Sequence, residues 1–98
     1  MDSSYQEVWD DIYQDGYYTH YPNESIVRFI FTRLPRDLAK RRDNKVLDIG
    51  CGTGNNTWMI AKEGFDTYGF DGSRVALDLN ENRLKEMQLS AHLSQGDF

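Results

Sequence analysis

The fold of this chain is decided by the stretch Lys45-Val46-Leu47-Asp48-Ile49-Gly50-Cys51-Gly52-Thr53-Gly54-Asn55. An apolar run of β-type residues stops at three glycines spaced two apart, and a segment with helical spacing follows at once. Glycine permits a turn that is too tight for side chains, and the first backbone N–H groups of the next helix have no partner inside that helix. The pattern therefore predicts a strand, a tight loop and a helix that together hold a nucleotide-type ligand.

Predicted strands alternate with predicted helices on the C-terminal side of this loop. The strands are expected at 46–49, 65–70 and 91–94, and the helices at about 56–63 and 73–87, the second capped by Ser73. This alternation implies parallel strands joined by right-handed crossovers. We therefore expect an α/β fold with a parallel sheet of about three strands and flanking helices. Because residues 46–49 are apolar except for Asp48, we expect this strand to be buried on both faces.

The first 44 residues are expected to be helical and rich in aromatic side chains. Tyr5, Trp9 and Tyr13 share one face of a predicted helix over 5–14, and they either cover the core or wall a ligand pocket. A second helix is predicted to begin after the N-cap Asn23 and to end at Pro35. Its expected apolar stripe consists of Ile26, Val27, Ile30, Phe31 and Leu34. The segment 36–44, with its basic run 40–42, is expected to be a ragged turn and a solvated connection.

Composition limits the kinds of partner this chain can have. A chain of 98 residues with 39% hydrophobic and 28% charged residues fits one small globular domain. Its net charge of −5 argues against binding nucleic acid or an anionic membrane. A single cysteine excludes an internal disulfide, and Cys and His lack the spacing of metal ligands. With no signal peptide or membrane-length apolar run, these features point to the cytoplasm.

Three carboxylates are predicted to meet at one edge of the sheet. Asp48, Asp71 and Asp97 lie at or just beyond the carboxyl ends of the three strands, where open α/β sheets bind ligands. Asp71 follows Gly50 by 21 residues, which is typical of an acceptor for ribose hydroxyls. Asn55 stands where a dinucleotide fingerprint has Gly or Ala, and Asp48 is a poor neighbour for a pyrophosphate. The residues therefore favour a nucleoside with an amino or sulfonium group.

These segments together resemble a known family. Residues 46–54 are similar to the first motif of class I S-adenosylmethionine-dependent methyltransferases, Phe70-Asp71-Gly72-Ser73 resembles the second, and Gly96-Asp97-Phe98 resembles the next. The resemblance covers residues 45–98 and implies a Rossmann-like domain that binds S-adenosylmethionine. A NAD-dependent oxidoreductase fragment stays open as an alternative at this point.

The resemblance also implies a role for each matching position. Gly50, Cys51, Gly52 and Gly54 would form the loop beside the methionine part of the cofactor, and Asp48 would help to receive its amino group. Asp71 would bind the ribose hydroxyls, with Gly72 and Ser73 against the adenosine. Asp97 would accept from the adenine amino group and Phe98 would flank the ring. The aromatic leading segment of the family covers the cofactor, so Tyr13 and Tyr17 are candidate contacts. Cys51 is not expected to act as a nucleophile.

Members of this family usually have a larger sheet, whose later part supplies catalytic and substrate-contacting groups. The resemblance thus implies that residues 1–44 form a cap segment and residues 45–98 the first, cofactor-binding half of the domain. The expected function is methyl transfer to a small-molecule acceptor, with catalytic residues unknown, or cofactor binding without catalysis. The first strand is central in the family's sheet. Without the fourth strand its edge and its apolar faces are expected to be open, and the open edge is expected to favour self-association.

Overall fold

The computed structural model describes residues 21–97, and these form one parallel sheet with helices packed against it. The helices are α1 (Glu24–Arg33), α2 (Leu38–Arg42), α3 (Thr57–Lys62) and α4 (Arg74–Glu86). The strands are β1 (Lys45–Ile49), β2 (Asp66–Asp71) and β3 (His92–Gln95). The predicted α/β class and the alternation of strands and helices are confirmed. The expected helix over 5–14 lies outside the described residues.

Side-chain caps set the start of the longer helices. The Asn23 side chain accepts from the Ser25 N–H at 2.9 Å and begins α1. The Ser73 hydroxyl accepts from the Ala76 N–H at 3.1 Å and begins α4. Each bond satisfies one of the N–H groups that a helix leaves without an internal partner. Both predicted caps are confirmed, and α1 stops two residues before Pro35, as expected.

The strands lie in chain order, with β2 between β1 and β3. Leu47 is in register with Tyr68, and Tyr68 with His92. Because both crossovers advance in the same direction across the sheet, right-handed connections place α3 and α4 on the same face. On that face Ile30, Met59, Ile60 and Phe65 form a buried core, against which Val27, Leu34, Val46 and Trp58 pack.

The expectation that β1 is buried on both faces is wrong. Leu47 is 58% exposed and Ile49 is 64% exposed, whereas Val46 packs against the core. Since successive side chains of a strand point to opposite faces, the two exposed residues lie on the face that α3 and α4 leave bare. Continuous apolar character in a strand thus does not mean that both of its faces are covered within this chain.

The segment 36–44 is also more ordered than its sequence predicts. Asp37 caps α2 by accepting from the N–H groups of Ala39 and Lys40. Arg41 is only 6% exposed, and its guanidinium bonds to the Pro35 carbonyl at 2.7 Å and to the Glu63 carboxylate at 3.0 Å. The same group lies 5.3 Å from the centre of the Phe65 ring. In the basic run only Lys40 and Arg42 are exposed to solvent, and all three residues belong to α2 and not to a loop.

Two helical stripes differ from their predicted membership. In α1 the residues Ile26 and Phe31 are more than a third exposed. The face of this helix that packs on the core around Ile30 is narrower than the predicted apolar stripe. In α4 the sequence predicts core positions at Val75, Ala76, Leu79, Leu84 and Met87. The residues that are buried are Ala76, Leu77, Asn80 and Leu84, and Met87 is exposed. Within residues 21–97 no helix combines the length and the apolar character needed to cross a bilayer.

Candidate functional site

The loop after β1 is held in a conformation that requires glycine. Gly50, Gly52 and Gly54 have φ angles of 70°, 54° and 92°, in the left-handed region that side chains disfavour. The loop is fastened to the end of β2, because the Gly50 and Cys51 N–H groups both donate to the Phe70 carbonyl at 2.7 and 3.1 Å. The tight turn predicted from the glycine spacing is therefore present at the carboxyl end of the sheet.

Asp71 joins this loop to the start of α4. One carboxylate oxygen accepts from the Gly52 N–H and the other from the Ser73 N–H, both at 2.9 Å. Each carboxylate oxygen has a further lone pair, so the half-buried group can still accept from a ligand. Two fixed backbone donors hold the carboxylate in one orientation before any ligand arrives, which lowers the entropic cost of binding.

Asp48 lies on the face of β1 that is turned toward the helices. Its Oδ2 accepts from the Thr57 hydroxyl at 3.0 Å, which links the strand to the first residue of α3. Burial raises the pKa of the Asp48 carboxyl, the Thr57 hydrogen bond lowers it, and the negative charge of Asp71 raises it further. A nearby cation would relieve both unfavourable effects on the charged form, so this corner of the site favours a positively charged group.

A buried amide, which sequence reasoning missed, lies behind the loop. Asn80 is completely buried in α4 and its Nδ2 is 3.2 Å from Thr57 Oγ1 and 3.4 Å from the Gly52 carbonyl oxygen. A Cβ atom built on Gly54 would lie 2.3 Å from Asn80 Oδ1, so the amide fills the space that glycine leaves. The sequence contained a signal for this residue. Asn80 lies four residues from both Ala76 and Leu84, so it is a polar side chain on the apolar face of the helix.

Asn55 ties the loop to the same helix. Its side-chain oxygen accepts from Arg83 Nη1 at 3.0 Å, across 28 residues of sequence. A Gly or Ala at this position, as in the dinucleotide fingerprint, could not make that bond. Asn55, which departs from the fingerprint, thus connects the loop to α4 in this chain.

The Cys51 side chain is directed at the sheet. It is 7% exposed, and a Cβ atom on Gly69 of β2 would lie 2.9 Å from its Sγ. Burial raises the pKa of the Cys51 thiol to about 12, and the charges of Asp48 and Asp71 contribute to the rise. A thiol in this state is a poor nucleophile.

The ends of β2 and β3 complete the edge. The Gly96 N–H donates to the Asp71 carbonyl at 3.1 Å, and Gln95 Nε2 donates to the Gly72 carbonyl at 3.2 Å. Gly72 and Ser73 are buried at the start of α4, with the Ser73 hydroxyl used in its cap, and Asp97 is exposed just beyond β3. The three carboxylates thus lie at the ends of three adjacent strands: Asp48 is the last residue but one of β1, Asp71 is the last residue of β2, and Asp97 comes just beyond β3. Tyr13, Tyr17 and Phe98 lie outside the described residues, so their predicted contacts stay predictions.

The donors and acceptors of this edge suit a ligand with hydroxyls and a positive charge. The N–H groups of Gly50, Cys51, Gly52 and Gly54 all donate to acceptors of the protein itself, so the loop does not offer them to a phosphate. Asp48 and Asp71 instead supply acceptors and negative charge. Among residues 21–97, no group of three His, Cys, Asp or Glu side chains is arranged to hold a metal ion.

Comparison with known proteins finds methyltransferases. A family profile described as "Methyltransferase domain" matches residues 46–98. The type II methyltransferase M.VspI of Vibrio sp. (strain 343) is 33% identical over 86 residues, covering 85% of this chain and 20% of the relative. The 23S rRNA (uracil(1939)-C(5))-methyltransferase RlmD of Paraburkholderia xenovorans is 40% identical over 53 residues, covering 54% of this chain and 11% of the relative.

A solved structure has the same fold. It is named "Conversion of a Disulfide Bond into a Thioacetal Group during Echinomycin Biosynthesis". It aligns with this chain with a TM-score of 0.79 and 24% identity, over 94% of this chain and 39% of that one. At this identity the likeness concerns the fold alone, and it agrees with the predicted Rossmann-like sheet. This chain spans a fifth or less of the length of the two relatives described above.

Proposed function

Because this chain belongs to the class I S-adenosylmethionine-dependent methyltransferases, we propose that its residues 45–98 bind S-adenosylmethionine for methyl transfer to a small-molecule acceptor. When bound, the cofactor supplies an electrophilic methyl group on a sulfonium ion. The part of the protein is to hold that group in line with an acceptor and to exclude water. The aromatic segment within residues 1–44 is proposed as a cap over the cofactor.

The observation that carries this proposal is the arrangement around Asp71. Its carboxylate is held by the Gly52 and Ser73 N–H groups at the mouth of the glycine loop, and it keeps acceptor capacity for the two ribose hydroxyls. Asp48, close enough to Asp71 for their charges to interact, would face the cationic methionine part. Asp97 is proposed to accept from the adenine amino group. The glycine loop, including Cys51 through its backbone, would lie beneath the methionine, with Gly72 and Ser73 against the adenosine.

The test is calorimetric titration of the chain with S-adenosylhomocysteine. We expect saturable binding that weakens about 100-fold in Asp71→Ala, because two charge-assisted hydrogen bonds are lost. Asp71→Asn, which keeps the shape of the side chain, should lose less affinity for S-adenosylhomocysteine than Asp71→Ala does. Asp78→Ala is the matched control, since Asp78 lies on the exposed side of α4 with its side chain 66% exposed. Failure of the unaltered chain to bind would exclude the proposal.

A second candidate is cofactor binding without catalysis in this 98-residue chain. It is favoured by the share of the relatives that the chain spans, 20% for the type II methyltransferase. Methyl transfer and S-adenosylhomocysteine binding, both measured with the 98-residue chain, separate the two candidates. Binding without methyl transfer would assign only the binding role to this chain.

The acceptor is proposed to be a small molecule on the basis of charge. The net charge of −5 and a pI of about 4.8 disfavour contact with a polyanion, and the exposed basic residues of α2 are too few to reverse that balance. One relative carries a name that specifies 23S rRNA, so transfer to an RNA acceptor in the same methyl-transfer assay is the outcome that would overturn this part of the proposal.

An oxidoreductase that binds NAD is a poorer match to the site. The N–H groups of Gly50, Cys51, Gly52 and Gly54, which could otherwise bind a pyrophosphate, already donate to acceptors within the protein. Competition between NADH and S-adenosylhomocysteine for the chain should therefore be won by the latter.

A further inference from the structure

A buried polar chain connects helix α4 to the candidate cofactor site from behind. It runs from Asn80 through Thr57 to Asp48, with distances of 3.2 Å between Asn80 Nδ2 and Thr57 Oγ1 and of 3.0 Å between Thr57 Oγ1 and Asp48 Oδ2. Asn80 and Thr57 are both completely buried. Buried polar side chains are costly unless their bonds are made, so this chain has to be explained by what it does.

The direction of the hydrogen bonds follows from the chemistry of the groups. The Gly52 carbonyl can only accept, so the end of the Asn80 amide that faces it has to be the Nδ2 donor. The same nitrogen then donates to Thr57 Oγ1, and the one hydroxyl proton of Thr57 is left for Asp48 Oδ2. Asp48 is therefore presented with a donor, which favours its charged form against the opposing effects of burial and of Asp71.

The amide is also matched in shape to the loop. Its Oδ1 is buried without a hydrogen-bond partner among residues 21–97, and it occupies the space where a side chain on residue 54 would begin. An unpaired buried acceptor costs about 1–3 kcal/mol, so a smaller apolar residue would be the more stable choice if packing were its only task.

We infer that Asn80 is a positioning residue of the cofactor site, which fixes the glycine loop through Gly52 and sets the direction of the Thr57 hydroxyl toward Asp48. The inference rests on the proposed function, because it assigns Asn80 to the site that would hold the methionine part of the cofactor. Asn80 acts through Thr57 and Gly52 and does not itself contact the ligand.

The first test measures Asp48 in the ligand-free chain by its carboxyl carbon NMR shift against pH. Thr57→Val removes the hydroxyl donor at constant shape, and Asn80→Asp replaces the donor by a carboxylate that competes for the Thr57 proton. In both variants the midpoint should move to higher pH, while Thr57→Ser, which keeps the hydroxyl, should keep the midpoint of the unaltered chain. The other titratable groups that influence Asp48 are Asp71 and Cys51, and all variants retain them. The carboxylate that Asn80→Asp introduces also repels Asp48, so Thr57→Val, which introduces no charge, is the deciding variant.

Leu84→Ala is the control for a role in packing alone. Leu84 is buried in the same helix at 3% exposure, so its truncation should lower the melting temperature and leave the Asp48 midpoint in place. An Asp48 midpoint that does not move in Thr57→Val overturns the inference, even if Asn80→Asp does not fold.

The second test is affinity for S-adenosylhomocysteine. We expect Asn80→Asp to bind about tenfold more weakly than the unaltered chain, the effect of losing one net hydrogen-bond contribution. If the unaltered chain does not bind, the proposed function fails while the NMR midpoints still decide the role of Asn80. Binding by the unaltered chain and by Asn80→Asp with equal affinity would contradict the inference alone.

Discussion

Cys51 shows how burial decides what a residue can do. It stands between two glycines of the loop, a place where a reactive thiol would be close to a bound ligand. Its side chain instead packs on Gly69, and burial together with the charges of Asp48 and Asp71 raises its pKa to about 12. The sequence-based expectation that it is not a nucleophile therefore has a physical reason in the structure.

Cys51 should react slowly with iodoacetamide at mildly alkaline pH. We expect alkylation at least about 100-fold slower in the folded chain than in the same chain in denaturant, because reaction needs both opening of the loop and loss of the proton. Mass spectrometry of the alkylated protein measures both rates. Equal rates would show that the thiol is accessible.

The same shift makes stability depend on pH in a defined direction. The thiol loses its proton near its ordinary 9.0 in the unfolded chain but near 12 in the folded one, so the folded state holds the proton more tightly. The contribution of this proton to the free energy of unfolding is complete below the pKa of the unfolded chain, and it is lost as pH rises toward 12. Cys51→Ala should lack this part of the decline in the free energy of unfolding.

Among the secondary-structure elements, the contact between the glycine loop and α4 leaves no room for a methyl group at residue 54. Gly54 has φ +92° and would place a Cβ 2.3 Å from Asn80 Oδ1. Gly64, after α3, has φ +93°, but its nearest neighbour would be Leu38 Cδ2 at 3.7 Å, an ordinary contact. An alanine at residue 64 would therefore cause backbone strain alone, whereas an alanine at residue 54 would add a steric conflict.

Gly64→Ala should lower the free energy of unfolding by about 1–2 kcal/mol, the cost of a left-handed backbone with a side chain. Gly54→Ala should lower it by about 1–3 kcal/mol more, since the buried amide has to move. Chemical denaturation of the single variants and of Gly54→Ala/Asn80→Ala measures the difference. The double variant should recover most of the extra loss, and additive effects in it would rule out the conflict with Asn80.

At the scale of the whole molecule, the order of the strands leaves one face of the sheet without a covering helix among residues 21–97. Since β1, β2 and β3 follow in chain order with α3 and α4 on one face, the opposite face exposes Leu47 and Ile49. Within residues 21–97, β1 pairs with β2 alone. A free strand edge beside exposed apolar side chains favours pairing with another chain.

We expect the 98-residue chain to self-associate through β1, as a mass that grows with concentration in sedimentation equilibrium. Ile49→Lys should weaken the association because it places a charge on the bare face. Leu38→Lys is the matched control, since Leu38 on α2 is equally exposed, at 64%, but lies away from the strand edge. A single monomeric mass at all concentrations, or equal effects of the two substitutions, would contradict this assignment.

Local spacing in the sequence was enough to predict the alternating elements, both helix caps and the place of the glycine loop at the carboxyl edge of the sheet. These features depend on neighbours a few residues apart, such as Ser73 with Ala76 or the apolar period of a helix. The family resemblance likewise rests on short motifs whose residues stand close together in the chain.

The burial of Arg41 and the polar chain behind the loop became visible only after the elements had packed. Arg41 meets Glu63 across 22 residues and Asn80 meets Thr57 across 23, so no local period records either contact. Which face of a strand is covered depends on where the crossover helices lie, and which polar side chain finds a partner depends on how α4 docks. Both are properties of the folded arrangement, because hydrogen bonds and burial act between groups that only packing brings together.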